Sequence, residues 1–122
     1  MTRARQALGE IGENLACEEL VRLGYSIVAR RYRARGGEID VIAADGPTVV
    51  FVEVKTRAGA DYGSGAEAIT FQKRRRIVST ATLFLAKEQL LDRPVRFDVV
   101  AVDLRDDGPR IDVYRSAFDG FA

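Results

Sequence analysis

The feature that most constrains this chain is an apolar run that leads directly into charged residues. Val49-Val50-Phe51-Val52 is uninterrupted, and the sequence continues as Glu53-Val54-Lys55. A strand that is apolar at every position must be covered on both faces, so the run predicts a central strand between two layers. The turn residues Asp45-Gly46-Pro47 precede it and predict a tight antiparallel hairpin with the segment 38–43.

Two segments with helical spacing predict the covering layers. Residues 2–23 form one, closed by Gly24 as a C-terminal cap, and Thr70 can cap a second that runs to about Leu91. The apolar face expected for the first comprises Leu8, Ile11, Leu15, Ala16, Leu20 and Leu23, and the second has Ile77, Thr80, Ala81, Phe84 and Leu91 at core spacing.

Further strands are predicted at 25–32, 96–104 and 111–115, the last at an edge of the sheet. The helix between the third and fourth strands can serve as a parallel crossover. We therefore predict one domain over residues 1–122 with an α/β fold of three layers: a mixed five-stranded sheet with a helix on each face.

The composition excludes several kinds of site. The 122 residues include no histidine, which removes Ser-His-Asp triads, histidine general bases and histidine-ligated zinc. The single cysteine, Cys17, cannot form a disulfide within the chain, and we expect it to be a small packing residue. Signal-like and membrane-length apolar runs are absent from the sequence, so we expect a cytoplasmic protein with no membrane partner.

The register of the predicted hairpin decides how its acidic residues meet. If Ala44 pairs with Val49, Asp40 lies opposite Glu53 with the two carboxylates roughly 5 Å apart. A shift of two residues keeps the charged side chains on one face, whereas a shift of one places them on opposite faces. The turn residues do not decide between these registers.

Opposed carboxylates are unfavourable for stability alone and indicate a metal site. Mg²⁺ (or Mn²⁺) prefers carboxylate oxygens and retains water for a phosphate. Phosphodiester hydrolysis requires a Lewis acid, and Lys55 would place a positive charge near the phosphate or the attacking water. Taken alone, Glu53 and Lys55 have an ordinary alternative, because cross-strand Glu–Lys pairs are common stabilising contacts.

The order of the motifs resembles the PD-(D/E)XK nuclease superfamily and, more closely, the YraN-like bacterial proteins, which are similar to archaeal Holliday junction resolvases. Ile39 stands where the superfamily name has a proline. The motifs that carry the resemblance are Gly9-x-x-Gly12-Glu13-x-x-Ala16, Leu23-Gly24-Tyr25, Gly37-Glu38-Ile39-Asp40, Val50-Phe51-Val52-Glu53-Val54-Lys55, Lys73 with Arg76, and Arg96-Phe97-Asp98-Val99-Val100.

This resemblance implies a restriction-endonuclease-like fold and roles for individual residues. It implies that Asp40 and Glu53 are catalytic metal ligands, that the Val54 carbonyl is a further ligand, and that Lys55 is the catalytic lysine. Glu13 matches a helix glutamate that assists the metal in resolvase-like proteins. The alternative for Glu13 is a solvated residue at the rim of the helix.

Other polar residues near the predicted site each have two interpretations. Glu38 is either a third acid or an ion-pair partner of Lys55. Tyr62 is either a stacking partner for an unpaired base or an ordinary loop residue, and Asp98 is either a functional residue or a member of an ion pair. Nucleic-acid contacts are expected for Arg33, Arg35, Gln72, Lys73 and Arg76, with solvated or structural charges as the alternative.

The sequence thus predicts a metal-dependent endonuclease whose partner is nucleic acid, with DNA preferred to RNA. Branched or flap substrates are implied only by the resolvase resemblance, which also implies a homodimer because a junction presents two symmetric strands. Two alternatives remain: a non-catalytic nucleic-acid-binding module that retains the nuclease fold, and a scaffolding protein of a larger assembly.

Overall fold

Two helices pack on opposite faces of one five-stranded sheet in the computed structural model, which describes residues 3–58 and 69–119. No helix within these ranges is long and apolar enough to cross a membrane. The elements are α1 (Arg3–Arg22), β1 (Ser26–Ala34), β2 (Gly37–Asp45), β3 (Thr48–Ala58), α2 (Phe71–Lys87), β4 (Val95–Arg105) and β5 (Gly108–Tyr114).

The strands lie in the order in which they occur in the chain. Neighbouring strands are antiparallel except β3 and β4, which are parallel and are joined through α2. The mixed sheet, the hairpin, the crossover helix and the edge position of β5 are therefore confirmed. The arrangement places β3, the apolar strand, at the centre of the sheet.

Helix α1 covers one face of the sheet with small side chains. Its buried residues include Gly12, Ala16, Cys17 and Leu20, which pack with β2, β3 and β4. A Cβ on Gly12 would lie 1.7 Å from the Thr56 hydroxyl oxygen, so glycine allows the helix to approach β3 closely. The packing role expected for Cys17 is confirmed.

The predicted apolar face of α1 is partly wrong. Ile11 is 48% exposed and Leu23 is 39% exposed, whereas Gly12 and Glu13 are buried. The helix is rotated toward its small residues because these permit the closest contact with the sheet. Apolar spacing identified the helix, but it did not identify which neighbouring stripe would be buried.

Helix α2 covers the other face with a cluster built around Phe51, Phe84 and Phe97. The hydroxyl of Thr70 accepts a hydrogen bond from the Lys73 N–H, which confirms the predicted N-cap. The helix ends at Lys87 rather than near Leu91, because Gln89 takes a positive φ of 59° that cannot continue it. Leu91 is 65% exposed and lies outside the core.

A buried ion pair lies at the end of the sheet where β1 and β4 begin. Asp98 is 0% exposed and accepts two hydrogen bonds from Arg96, at 2.9 and 3.1 Å, and one from the Tyr25 hydroxyl. The Ser116 N–H donates a further bond of 3.0 Å, and Arg96 also pairs with Asp45. The ion-pair interpretation of Asp98 is therefore confirmed.

Candidate active site

The hairpin of β2 and β3 brings two carboxylates together on adjacent inner strands of the sheet. Ala44 pairs with Val49, and the ladder continues to the pair of Val41 with Val52. One step further along each strand are Asp40 and Glu53. The register that places these two residues opposite each other is thus the one adopted, and the registers shifted by one or two residues are excluded.

A break in strand alternation aims the Asp40 side chain. Ile39 packs in the α2 cluster and Val41 in the α1 cluster, although regular alternation would place both on one face. On β1, Arg31 faces Asp40 from between two residues that are paired with β2, and it has a positive φ of 50°. Beyond this break, an Asp40 carboxylate oxygen accepts a hydrogen bond of 2.8 Å from the Val54 N–H.

Asp40 and Glu53 interact strongly. Burial, a hydrogen bond with Glu53 and the charge of Glu53 together raise the pKa of Asp40 from its ordinary 3.8 to about 8. The Val54 N–H and the charge of Lys73 act in the opposite direction. Without a cation, the protonated form of Asp40 is therefore favoured at neutral pH.

Glu53 is buried and receives a lysine from the helix above it. Its side chain is 8% exposed, and the Lys73 Nζ lies 3.1 Å from one carboxylate oxygen. The structure pairs Lys73 with Glu53, and its contact with nucleic acid stays a prediction. Its side chain is 49% exposed, so the same ammonium group also borders solvent at the mouth of the site.

Lys55 extends from β3 on the same face as Glu53, because side chains two residues apart share a face. Burial lowers the pKa of Lys55, the charges of Lys73 and Arg57 lower it further, and Glu53 partly offsets them. A lowered pKa increases the fraction of Lys55 that is present as the neutral amine. A lysine in this environment can take up a proton as well as supply positive charge.

Glu13 is buried at the wall of the pocket that also contains Asp40. One carboxylate oxygen lies 3.0 Å from Arg30, and the other lies 3.3 Å from Arg31. The alternative of a solvated rim residue is therefore wrong. The role of Glu13 at a metal stays a prediction, and both of its oxygens are held by arginines.

Glu38 does not form the ion pair that the sequence suggested with Lys55. Its carboxylate lies 3.6 Å from Arg33, the residue that faces it directly across β1 and β2. The paired residues of β2 and β3 end at Val41 and Val52, so Glu38 is not paired with a residue of β3. Glu38 lines the same pocket as Asp40, and its role as a third acid stays a prediction.

The donor set fits a hard divalent cation with a small number of protein ligands. Among residues 3–58 and 69–119, no group of three or more acidic, cysteine or histidine side chains converges on one point. Mg²⁺ commonly uses one or two carboxylates and completes its octahedral shell with water and substrate phosphate. Asp40 and Glu53 meet this requirement, and a cation between them would relieve their repulsion.

A basic cleft lies beside the site, between the turn that joins β1 to β2 and the first turns of α2. Gly37 permits this contact, because a Cβ there would lie 2.3 Å from the Thr80 hydroxyl oxygen. The cleft contains three of the expected nucleic-acid contacts, whereas Arg33 lies in the pocket of Asp40 and Tyr62 lies outside the described residues. Its lining is Arg35, Gly36, Gln72, Arg75, Arg76 and Ser79.

Arg75 was not among the expected contacts. Gln72 lies three residues before Arg75, and Ser79 lies four residues after it. This spacing places the three side chains on one side of a helix. This spacing was visible in the sequence. The sequence predicts contacts for Lys73 and Arg76 rather than Arg75, because helical spacing alone does not show which side of α2 borders the cleft.

Comparison with known proteins identifies the family. The model of the uncharacterised protein family UPF0102 matches residues 12–102. The chain belongs to the UPF0102 family. The matched range includes β2, β3 and α2, so the carboxylate pair and the basic cleft lie within the family region, and the predicted relation to the YraN-like group is confirmed.

Similar members of the UPF0102 family cover nearly the whole chain. A UPF0102 protein of Geobacter metallireducens is 44% identical over 119 residues, which are 98% of this chain and 98% of that protein. One of Symbiobacterium thermophilum is 52% identical over 101 residues, covering 83% and 86% of the two chains. Among solved structures, SfsA of Pyrococcus furiosus in complex with Ca²⁺ matches 91% of this chain and 63% of its own, with a TM-score of 0.40 and 13% identity.

Proposed function

We propose that this chain is a metal-dependent endonuclease that hydrolyses phosphodiester bonds in DNA. The observation that carries the proposal is the meeting of Asp40 and Glu53 beside Lys55 on two adjacent strands, β2 and β3. A pair of buried carboxylates that raises the pKa of Asp40 to about 8 lowers stability unless a cation separates them. Such arrangements are concentrated at functional sites.

Each side chain has a distinct part in this reaction. Asp40 and Glu53 would hold Mg²⁺ or Mn²⁺, with the Val54 carbonyl as a further ligand, and the bound ion would supply Lewis-acid chemistry at the phosphate. The lowered pKa of Lys55 suits it to accept a proton from the attacking water. Lys73, released from Glu53, and the arginines of the cleft neutralise the neighbouring phosphates.

The experiment is cleavage of labelled duplex, single-stranded, flap and four-way-junction DNA, and of single-stranded RNA, in Mg²⁺, Mn²⁺ or EDTA. The variants are Glu53→Gln, Lys55→Met and Glu88→Gln. Glu88 is an exposed carboxylate at the far end of α2, so its replacement is a matched control. We expect metal-dependent DNA cleavage by the wild type and by Glu88→Gln, and a loss of at least about 100-fold in the other two.

Calorimetric titration with Mn²⁺ separates binding from chemistry. Glu53→Gln should weaken Mn²⁺ binding strongly, whereas Lys55→Met should retain it and lose only cleavage. Cleavage that survives in both variants would contradict the assignment and indicate a contaminating nuclease. Preferential cleavage of the RNA would retain the reaction and replace the proposed substrate.

A nucleic-acid-binding module without catalysis is the second candidate, and one observation favours it. Side chains already neutralise the acids of the site, since Lys73 pairs with Glu53 and two arginines hold Glu13. A module of this kind would bind DNA equally well in EDTA and in Mg²⁺. It would also bind equally well after Glu53→Gln, and it would cut none of the substrates.

A further inference from the structure

The first turn of α2 exposes an aromatic ring that the fold does not use. Phe71 is 72% exposed, more than any other large apolar side chain in the described ranges. The helix does not need this ring for its cap, which Thr70 provides. Phe71 is also absent from the aromatic cluster beneath α2, where Phe51, Phe84 and Phe97 pack.

An arginine lies against this ring. The guanidinium carbon of Arg75 is 5.9 Å from the ring centroid of Phe71, as expected for residues four apart on a helix. A single guanidinium covers at most one face of a phenyl ring. The remaining face can receive another flat group, and the adjacent positive charge favours a group that carries phosphate.

The ring adjoins the basic cleft through Arg75, and the same helix carries Lys73, which pairs with Glu53. Arg75 contacts the ring and also lines the cleft of about 380 Å³ together with Arg35, Gln72 and Arg76. Lys73 lies on the opposite side of the helix from Phe71 and reaches Glu53. A helix is about 10–12 Å wide, which corresponds to about three stacked nucleotides along a strand.

We infer that Phe71 and Arg75 form a stacking platform for an unpaired base, and that the site takes nucleic acid with a single-stranded segment next to the scissile phosphate. This inference rests on the proposed function, because it assigns a substrate class to that site. Bases within a continuous duplex are covered by their neighbours, so only an unpaired base can offer its face to the ring. The backbone of the same strand then follows the arginines of the cleft toward Asp40 and Glu53.

The test is binding of an oligonucleotide that contains 2-aminopurine, in EDTA so that no cleavage occurs. The probe is used as a single strand and as a complete duplex, with the wild type, Phe71→Ala and Phe71→Leu. Leucine keeps an apolar side chain but has no aromatic face. Leu91→Ala is the matched control, since it removes a similarly exposed apolar group four residues beyond the end of α2.

For the single strand, we expect quenched 2-aminopurine fluorescence with the wild type and with Leu91→Ala. Affinity should fall roughly 5- to 150-fold in Phe71→Ala and by a similar factor in Phe71→Leu, while duplex binding stays unchanged. Urea unfolding of each variant shows whether the fold is retained. Because Phe71 contributes little burial, all should unfold near the wild-type midpoint.

The outcomes separate this inference from the proposed function. Wild-type affinity for the single strand in Phe71→Leu would overturn the platform, yet metal-dependent cleavage would still support the nuclease. An equal loss for single strand and duplex would also overturn it, because the ring would then contribute without selecting unpaired bases. Failure of the wild type to bind the single strand in EDTA would overturn the platform, whereas metal-dependent cleavage of the DNA panel would still support the nuclease.

Discussion

At the scale of single residues, the carboxyl group of Asp40 links the site to the pH dependence of stability. Its folded-state pKa of about 8 lies above the ordinary 3.8, so the folded protein holds a proton that the unfolded chain releases. Such a group contributes stability at low pH, and the contribution is lost as pH rises between these values. The metal-free protein should therefore lose stability between about pH 4 and pH 8.

Asp40→Asn isolates this contribution, because asparagine keeps the oxygen that accepts the Val54 N–H but does not titrate. In EDTA, the melting temperature of the wild type should fall more steeply with pH than that of the variant, as followed by circular dichroism. Added Mg²⁺ at pH 8 should stabilise the wild type and leave Asp40→Asn unchanged. Parallel pH profiles in EDTA would show that Asp40 does not hold a proton in the folded protein near neutral pH.

The residues of the site differ in how far the sequence could specify them. Whether Asp40 lies opposite Glu53 depends on strand periodicity and on the register of one hairpin. The sequence therefore limits the possible arrangements to a few registers. The contacts of Lys73 with Glu53, and of Glu13 with Arg30, depend on where each helix lies along the sheet. Helical periodicity predicts which face of a helix is buried, but it does not determine that position.

At the scale of elements, α1 shows why the expected apolar face was misplaced. Gly12 lies against Thr56, and Ala16 is fully buried, whereas Ile11 is half-exposed. Small residues let the helix backbone approach the strand, and the approach allows Glu13 to reach the pocket of Asp40. A search for large apolar residues alone overlooks this type of interface, since its closest contacts involve little side-chain volume.

The contact between Gly12 and Thr56 can be measured by a double-mutant cycle. Gly12→Ala should lower the free energy of unfolding by about 1–3 kcal/mol, because its Cβ would overlap the threonine side chain. The same change in a Thr56→Gly background should cost much less. Urea titrations of the four proteins give the coupling energy directly.

Gly9→Ala is the matched control on the same helix. A Cβ at Gly9 would meet nothing within 4 Å, so alanine should stabilise the protein by about 0.5–1 kcal/mol through its higher helix propensity. Equal effects of alanine at Gly9 and Gly12 would mean that α1 does not approach β3 as closely as the structure shows.

At the scale of the whole molecule, the two faces of the sheet carry different polar groups. On the face covered by α1, the Asp98 carboxylate is fully paired with Arg96, Tyr25 and Ser116. On the face covered by α2, Glu53 pairs with Lys73 and also meets Asp40, whose pKa it raises. The layers, the strand order and the parallel crossover could be predicted from apolar patterning. The Asp98 network could not, because it joins segments more than 70 residues apart.

This separation predicts opposite effects for two substitutions. Asp98→Ala removes the buried member of the ion pair, leaves the partly buried Arg96 with Asp45 alone and should cost about 3–5 kcal/mol of unfolding free energy. Asp112→Ala, in an exposed ion pair, should cost less than about 1 kcal/mol. Below its melting temperature, Asp98→Ala should bind Mn²⁺ with wild-type affinity. Glu53→Gln should lose Mn²⁺ binding. In EDTA at about pH 9, above the pKa of Asp40, it should unfold at or above the wild-type urea midpoint, because the repulsion with the ionised Asp40 is removed. Loss of Mn²⁺ binding by folded Asp98→Ala would show that the two faces are coupled through β3 and β4, and the division between them would then be wrong.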